Sequence, residues 1–320
     1  MEPQIDQFNR DELMMDRRDF IRGSTLAGAA LATGVRPAMG SAIPGSFAPP
    51  FTADFAPHFG MFRRSAGEDL VDQLRFMADQ GFRSLEDNGM TNRPVAEQER
   101  IANEMARLDM RMGVFVAHEI HWRTPSLTAG TDDPLSAFLS EIEHALEVAK
   151  RVKATWMTVV PGHVDLRQDI AYQTANVVNA LRRAADILEP HGLIIVLEPL
   201  NFRDHPGLFL NKISQAFEIC RAVDSRSCKI LDDLYHQQIH EGNLIPNIDL
   251  AWGEIAYFQI GDNPGRKEPT TGEINFPNVF RHIQDKGYEG ILGMEHGNSE
   301  PGAEGEMAVI EAYRSVDPTR

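Results

Sequence analysis

Four oxygen-bearing side chains stand at or near the ends of consecutive apolar segments in the second half of the chain. They are Glu198, Asp233, Gln259 and Glu295. Carboxylates brought close together repel each other unless they are protonated or bind a cation. Three carboxylates and an amide oxygen suit hard cations such as Mg²⁺ or Mn²⁺ better than Zn²⁺, which prefers nitrogen and sulfur. The four residues therefore predict a divalent-metal site.

Paired carboxylates beside such a site have a further chemical use. One carboxylate can remove a proton from a carbon next to a carbonyl, and another can return a proton to the neighbouring carbon. A divalent cation stabilises the oxygens of the enediolate formed between the two steps. The residue set thus points to proton-transfer chemistry on a hydroxy-carbonyl compound.

The elements that must position these residues alternate between strand and helix from about Phe55 onward. Runs such as Leu193 to Leu197 are continuously apolar, which is typical of parallel strands covered on both faces. Stripes such as Leu70, Leu74 and Met77 recur at helical spacing. The predicted strands are 54–59, 82–86, 112–118, 155–160, 193–198, 228–233, 255–261 and 290–295.

Eight strands, each followed by a helix, predict an α/β fold of the (β/α)8 TIM-barrel type. Such units over roughly 270 residues fit the about 250 residues typical of this barrel. A doubly wound open sheet is the alternative, but no Gly-x-Gly-x-x-Gly turn follows the first strand. The active site of a barrel lies at the carboxyl ends of its strands, so the four predicted ligands would converge there. His58 and His118, which end the first and third strands, are expected to contact substrate.

Longer motifs carry a family resemblance. The segments Val196–Asn201, Ile230–Gln238, Phe258–Arg266 and Gly293–Glu295 resemble the fifth- to eighth-strand motifs of the hydroxypyruvate isomerase family, one of the xylose-isomerase-like barrels. The resemblance extends from Ala53 to the C-terminus. The loops after the second and third strands depart from the family pattern.

The resemblance implies roles for individual residues. It assigns the same four residues as metal ligands, with Glu198 and Glu295 also forming the acid–base pair. His236 and Arg266 are implied as substrate contacts, and Asn201 is expected to contact substrate while anchoring the loop over the site. Related sugar epimerases carry a histidine where this chain has Gln259, which favours the hydroxypyruvate isomerase branch. The implied reaction converts hydroxypyruvate to tartronate semialdehyde, or isomerises a related sugar, with Mg²⁺ or Mn²⁺ as the cofactor.

Several other functions remain open at this point. The same barrel can support C3 epimerisation, dehydration or lyase chemistry, and an exported sugar-binding protein could keep the fold without catalysis. A DNA endonuclease is disfavoured because the chain has 31 basic and 47 acidic residues, a formal charge of −16. The same charge disfavours anionic membranes. We expect a small hydroxy-keto acid or sugar as the partner and no nucleic acid, and a homo-oligomer is left open.

The N-terminal 42 residues resemble a twin-arginine export signal. Arg17 and Arg18 precede an apolar run of glycine, alanine and leucine that is shorter than the about 20 residues a spanning helix needs. Small residues offer cleavage after Ala42. We therefore expect a signal peptide over 1–42, a linker over 43–53, a barrel over 54–320 and a periplasmic or otherwise exported protein. Cys220 and Cys228 are expected to be plain buried thiols, with a bridge as the alternative after export.

Overall fold

The structure is a computed structural model that describes residues 48–318. The expected signal peptide over 1–42 lies outside the described residues. Eight strands are found in the described part of the chain: β1 (Asp54–Ala56), β2 (Ser84–Leu85), β3 (Arg111–Met112), β4 (Trp156–Val159), β5 (Ile194–Leu197), β6 (Cys228–Asp233), β7 (Ile255–Ile260) and β8 (Ile291–Met294).

Helices follow every strand and cover the outside of the sheet. They are α1 (Arg63–Ala66), α2 (Leu70–Asp79), α3 (Val95–Arg107), α4 (Asp132–Val152), α5 (Ile170–Leu188), α6 (Ile213–Val223), α7 (Leu234–His240), α8 (Leu244–Ala251), α9 (Phe276–Asp285) and α10 (Gly302–Val316). The stripe of Leu74 and Met77 on α2 is buried, as are Phe138 and Ile142 on α4, so these helices pack on the sheet as their spacing predicts.

The strands close into a parallel barrel. Six of them pair in the order β1-β8-β7-β6-β5-β4, and β2 pairs with β3. Single parallel bridges, His58 to Glu86 and Val116 to Thr158, join the two groups. The predicted (β/α)8 barrel is thereby confirmed.

The third strand is shorter than expected. It was predicted over 112–118, whereas the regular ladder covers Arg111–Met112 only. Beyond Met112 the backbone still forms isolated hydrogen bonds with the neighbouring segments of the barrel. Gly113 N donates to Leu85 O at 2.7 Å, and Thr158 N donates to Phe115 O at 2.8 Å. The barrel wall is therefore continuous here but irregular.

The barrel unit also begins earlier than the predicted boundary at residue 54. Phe51 is buried, stacks on Phe82 with ring centroids 4.7 Å apart, and donates its N–H to Gly81 O. The backbone N–H groups of Thr52 and Ala53 donate to Asp317. Residues 48–53 thus belong to the folded unit and not to a free linker.

Both cysteines are free and buried. Cys220 lies late in α6 and Cys228 opens β6, at the places their sequence context predicted. Between residues 48 and 318, no helix combines the length and the apolar character that crossing a membrane requires.

Candidate active site

The carboxyl ends of β5 to β8 bring the predicted ligands to one end of the barrel interior. Asp233 on β6 pairs with Gln259 on β7, and Gln259 pairs with Gly293 on β8. Paired residues point to the same face of a sheet, and Glu295 lies two residues beyond Gly293 on that face. Glu198 directly follows β5 and is buried. Strand register therefore places Asp233 beside Gln259 and Glu295 two residues beyond it on the same face.

The two carboxylate oxygens of Asp233 have different hydrogen-bond partners. It is the N-cap of α7, and Oδ1 accepts from the backbone N–H groups of Tyr235 at 2.8 Å and His236 at 3.4 Å. Oδ2 accepts from Arg266 Nη2 at 3.0 Å. The helix cap holds the carboxylate in place and leaves Oδ2 directed at the site.

Arg266 links two of the predicted ligands. The same Nη2 that contacts Asp233 also donates to Glu295 Oε2 at 2.7 Å, and the guanidinium lies over the Tyr235 ring. It lies in the loop after β7, in reach of both the expected ligands and any substrate beside them. This is the position expected of a substrate oxyanion clamp.

Burial and the charge of neighbouring carboxylates raise the pKa of the two expected acid–base residues. Burial is the main reason that the pKa of Glu198 lies well above its usual value, and the charge of Glu295 adds to it. Burial raises the pKa of Glu295 to about 7, although Arg266 acts in the opposite direction. A carboxyl group that titrates near neutral pH can both take and return a proton, which is what general acid–base catalysis needs.

His236 has a defined tautomer. Its Nδ1 accepts from the backbone N–H of Asn201 at 3.3 Å and lies 2.7 Å from the Asn201 side-chain nitrogen. A backbone N–H can only donate, so Nδ1 carries no proton and the neutral ring is protonated at Nε2. Nε2 is buried without a hydrogen-bond partner among the described residues, 3.5 Å from Asp233 Oδ2 and 3.8 Å from Glu198 Oε1. His236 therefore presents a donor to the site.

The geometry can hold a cation. Ligating atoms of Glu198, Asp233 and His236 lie within 4.8 Å of one another. Because Nε2 of His236 carries the proton, it can donate a hydrogen bond but has no lone pair to ligate a cation. Gln259 Oε1 is buried with no partner among the described residues, as is expected of an oxygen that completes a ligand set. Three carboxylates and this orphaned oxygen fit a divalent cation.

Two residues from the other half of the barrel complete the site, and the sequence analysis did not single them out. Glu86 follows β2 and accepts from Gln259 Nε2 at 2.8 Å. Asn88 donates from Nδ2 to Glu295 Oε1 at 2.8 Å, while its Oδ1 is buried without a partner among residues 48–318. Glu86 ends a predicted strand and obeys the same positional rule as the four ligands, so a signal existed. Asn88 lies in the following turn, where no feature of the sequence indicated a role in the site.

The remaining expected substrate contacts take different positions. His58 lines the site, and its ring nitrogens lie 2.9 Å from Phe59 O and 3.1 Å from His296 O. His118 is buried against Phe138, and its Nε2 accepts from the Val160 N–H at 3.2 Å. Burial lowers the pKa of His118 to about 4.

Asn201 is fully buried, and its amide is used within the protein. Its oxygen accepts from the backbone N–H groups of Arg203 and Asp204, and its nitrogen faces His236 and Asp204. This arrangement differs from the expected direct substrate contact, because no donor or acceptor of the side chain is left over. Asn201 anchors the loop after β5, as expected, and orients His236.

A cavity of about 280 Å³ opens beside these groups and is lined by His58, Glu86, Asn88, Arg93 and Glu295 among others. A larger cavity of about 460 Å³ lies at the amino ends of the strands, lined in part by Asp54, Arg111 and Tyr288. There Arg111 pairs with Asp54 at 2.8 Å. The smaller cavity is the candidate active site, because Glu295 lines it together with Asn88, whose Oδ1 has no partner among the described residues.

The sequence matches the family model described as xylose isomerase-like TIM barrel over residues 74–313. It is similar to the 2-oxo-tetronate isomerase of Cupriavidus necator, with 33% identity over 159 residues, which cover 50% of this chain and 61% of that protein. It is 30% identical to the putative hydroxypyruvate isomerase of Danio rerio over 249 residues, 74% of this chain and 88% of that protein. Thus the chain spans about three fifths of the first relative and most of the second.

Among solved structures, the fold is similar to the crystal structure of an AP endonuclease, family 2, from Brucella melitensis. The TM-score is 0.70 and the sequence identity 25%, and the match covers 82% of this chain and 99% of that chain. Both kinds of comparison agree on the barrel.

Proposed function

The chain belongs to the xylose isomerase-like TIM-barrel family, and from this premise we propose that it is a divalent-metal-dependent isomerase of a short hydroxy-keto acid or sugar. The observation that carries the proposal is the pair Glu198 and Glu295, two buried carboxyl groups of raised pKa that interact with each other. Its homologues include proteins named as hydroxypyruvate and 2-oxo-tetronate isomerases, and these names supply the substrates to test first.

In the proposed reaction, one of the two glutamates takes the proton from the carbon that bears the hydroxyl group. The other delivers a proton to the former carbonyl carbon, and the hydroxyl proton moves between the two oxygens, so that the carbonyl and hydroxyl groups exchange places. Each glutamate ends in the protonation state from which the reverse reaction starts. The residue that acts as base in one direction acts as acid in the reverse direction.

Other side chains would hold the substrate. The Nε2–H of His236 and the guanidinium of Arg266 would donate to substrate oxygens, and Asn88 Oδ1 would accept from a hydroxyl group. Glu198, Asp233, Gln259 and Glu295 would hold the cation, which when bound supplies Lewis-acid stabilisation of negative charge on the substrate oxygens.

Isotope incorporation tests the reaction type. The Mn²⁺-loaded protein is incubated in deuterated water with hydroxypyruvate and, separately, with 2-oxo-tetronate, and the products are followed by NMR. Isomerisation would move the carbonyl group to the neighbouring carbon, which gives an aldehyde from hydroxypyruvate and a C3 ketone from 2-oxo-tetronate, with deuterium on the former carbonyl carbon. A 2-oxo-tetronate product that keeps its carbonyl group at C2 and carries deuterium at an inverted C3 would replace the proposal by epimerisation. Binding without any exchange would replace it by a sugar-binding role.

We also propose that the protein is exported. The support is the Arg17-Arg18 pair followed by an uncharged apolar run. Replacing both arginines by lysine should retain the full-length chain in the cytoplasm of a twin-arginine-competent bacterium, whereas the unaltered chain should reach the periplasmic fraction. Equal export of both forms would contradict this route.

A further inference from the structure

Glu86 is buried inside the barrel, where no other role has been given to it. Its side chain is 1% exposed. Oε1 accepts from Gln259 Nε2 at 2.8 Å, and Oε2 accepts from the Tyr257 hydroxyl at 3.0 Å. Both partners lie on β7, two residues apart, and so point to the same side of that strand. Glu86 thus bridges the two inward-facing polar residues of β7.

Glycines on two other strands make room for this arrangement. A Cβ at Gly293 on β8 would lie 1.8 Å from Glu86 Oε2, closer than any side chain could tolerate. A Cβ at Gly113, just beyond β3, would lie 2.5 Å from the Tyr257 hydroxyl oxygen. The barrel therefore accommodates the Glu86 carboxyl group at a specific place with contributions from four of its wall segments.

The contact decides which end of the Gln259 amide faces the site. An amide has a donor end and an acceptor end, and only the oxygen can ligate a cation. Glu86 Oε1 engages the nitrogen, and Oε1 of Gln259 is left buried without a partner among the described residues, beside its strand partner Asp233. If residue 86 offered no hydrogen-bond acceptor, this contact would not favour either orientation of the Gln259 amide.

We propose that Glu86 is a positioning residue that fixes the Gln259 amide with its oxygen toward the cation. The inference rests on the proposed metal centre. A carboxylate at position 259 would need no such orientation because both of its ends are oxygen. Glutamine at this position is therefore paired with an acidic residue across the barrel, 173 residues away in sequence.

Mn²⁺ binding to the metal-free protein, measured by calorimetry and by the EPR signal of free Mn²⁺, tests the proposal without relying on turnover. Glu86→Gln keeps the size of the side chain and an acceptor for Tyr257, but lets either end of Gln259 pair with it. We expect Mn²⁺ affinity to fall about tenfold or more, as is typical for partners that orient a ligand. Tyr257→Phe, which leaves the contact between Glu86 and Gln259 intact, should bind within about threefold of the unaltered protein.

A second background separates orientation from charge. In Gln259→Glu, adding Glu86→Gln should leave Mn²⁺ affinity unchanged or raise it, because two adjacent carboxylates would otherwise repel. If Glu86 acted only through its negative charge, the substitution would weaken binding in both backgrounds. Glu86→Asp provides a further check, since it keeps the charge but withdraws the oxygen from Gln259, and we expect it to weaken binding as Glu86→Gln does.

The outcomes are distinct. Weaker binding in the Gln259 background alone supports the proposal, provided that circular dichroism and metal-free melting show a folded chain. Unchanged affinity in Glu86→Gln, or equal loss in both backgrounds, overturns it while the metal centre stands. Failure of the unaltered protein to bind Mn²⁺ overturns the metal centre itself, and the inference with it.

Discussion

The two halves of the barrel contribute different things to the site. Strands β5 to β8 supply the proposed ligands, and they pair in sequence with a register shift between Ile230 and Leu231. The segments around β2 and β3 supply Glu86 and Asn88, which contact Gln259 and Glu295 from the opposite side. The proposed reacting groups thus come from one half, and Glu86 and Asn88 of the other half contact two of them.

The strand lengths explain this division. The strands from β5 to β8 have four to six residues each, and their pairing places Asp233, Gln259 and Gly293 side by side. β2 and β3 have two residues each, and beyond β2 the chain turns at Asn88 and Gly89. From this turn the Asn88 side chain contacts Glu295.

The comparison predicts the largest loss for the carboxylates of the second half. Glu198→Gln and Glu295→Gln remove the proton-transfer groups, and we expect each to lower kcat by about 10²- to 10⁴-fold. Steady-state kinetics with Mn²⁺ present measures this loss, and circular dichroism should be unchanged. Glu218→Gln, exposed on α6, is the matched control. Near-normal rates in either active-site variant would contradict the mechanism.

Metal removal should act on the same half. A chelator should abolish activity and lower Tm, because a ligand that binds the folded state alone adds about 2.7 kcal/mol of stability at 100 times its Kd. For a domain of this size each kcal/mol corresponds to about 2–4 °C. Differential scanning fluorimetry with and without added Mn²⁺ measures the shift, and an unchanged Tm with full activity would argue against the metal centre.

Asn88 tests the contribution of the first half. Its hydrogen bond lowers the pKa of Glu295, so Asn88→Ala should raise that pKa above about 7. In the direction in which Glu295 takes the proton, the acidic limb of the kcat/KM profile then moves to higher pH. A hydrogen bond contributes about 1 kcal/mol, so its removal predicts roughly a fivefold lower kcat/KM near neutral pH. Asn92→Ala, exposed in the same turn, should leave the profile in place, and a shift to lower pH in Asn88→Ala would refute the assignment.

His118 should show the smallest catalytic effect. His118→Phe leaves the buried Val160 N–H without an acceptor, which costs about 1–3 kcal/mol of stability. We expect KM to stay within about threefold, since the acceptor nitrogen faces the backbone. Urea unfolding and steady-state kinetics measure the two quantities, with His121→Phe, exposed in the same loop, as control. A large rise in KM at unchanged stability would instead assign His118 to the substrate, as the sequence suggested.

Some of these roles could be predicted from residue type and place alone. Glu198, Asp233 and Glu295 stand out because each is an acidic residue at the end of an apolar strand. Glu86 satisfies the same rule, yet its partner could not be foreseen, since Tyr257 and Gln259 lie more than 170 residues away in sequence. His236 was expected to contact substrate, but only its contact with the Asn201 N–H reveals which nitrogen carries the proton.

The amino-acid sequence by itself determined the barrel and the level of its acidic groups, because alternating apolar runs and helical stripes are local patterns and strand ends are local positions. Tertiary structure alone decided which end of Gln259 faces the site, how Asn88 reaches Glu295 and which tautomer His236 adopts. These depend on hydrogen bonds between segments that meet only when the barrel closes, and a hydrogen bond depends on distance and direction that no local pattern contains.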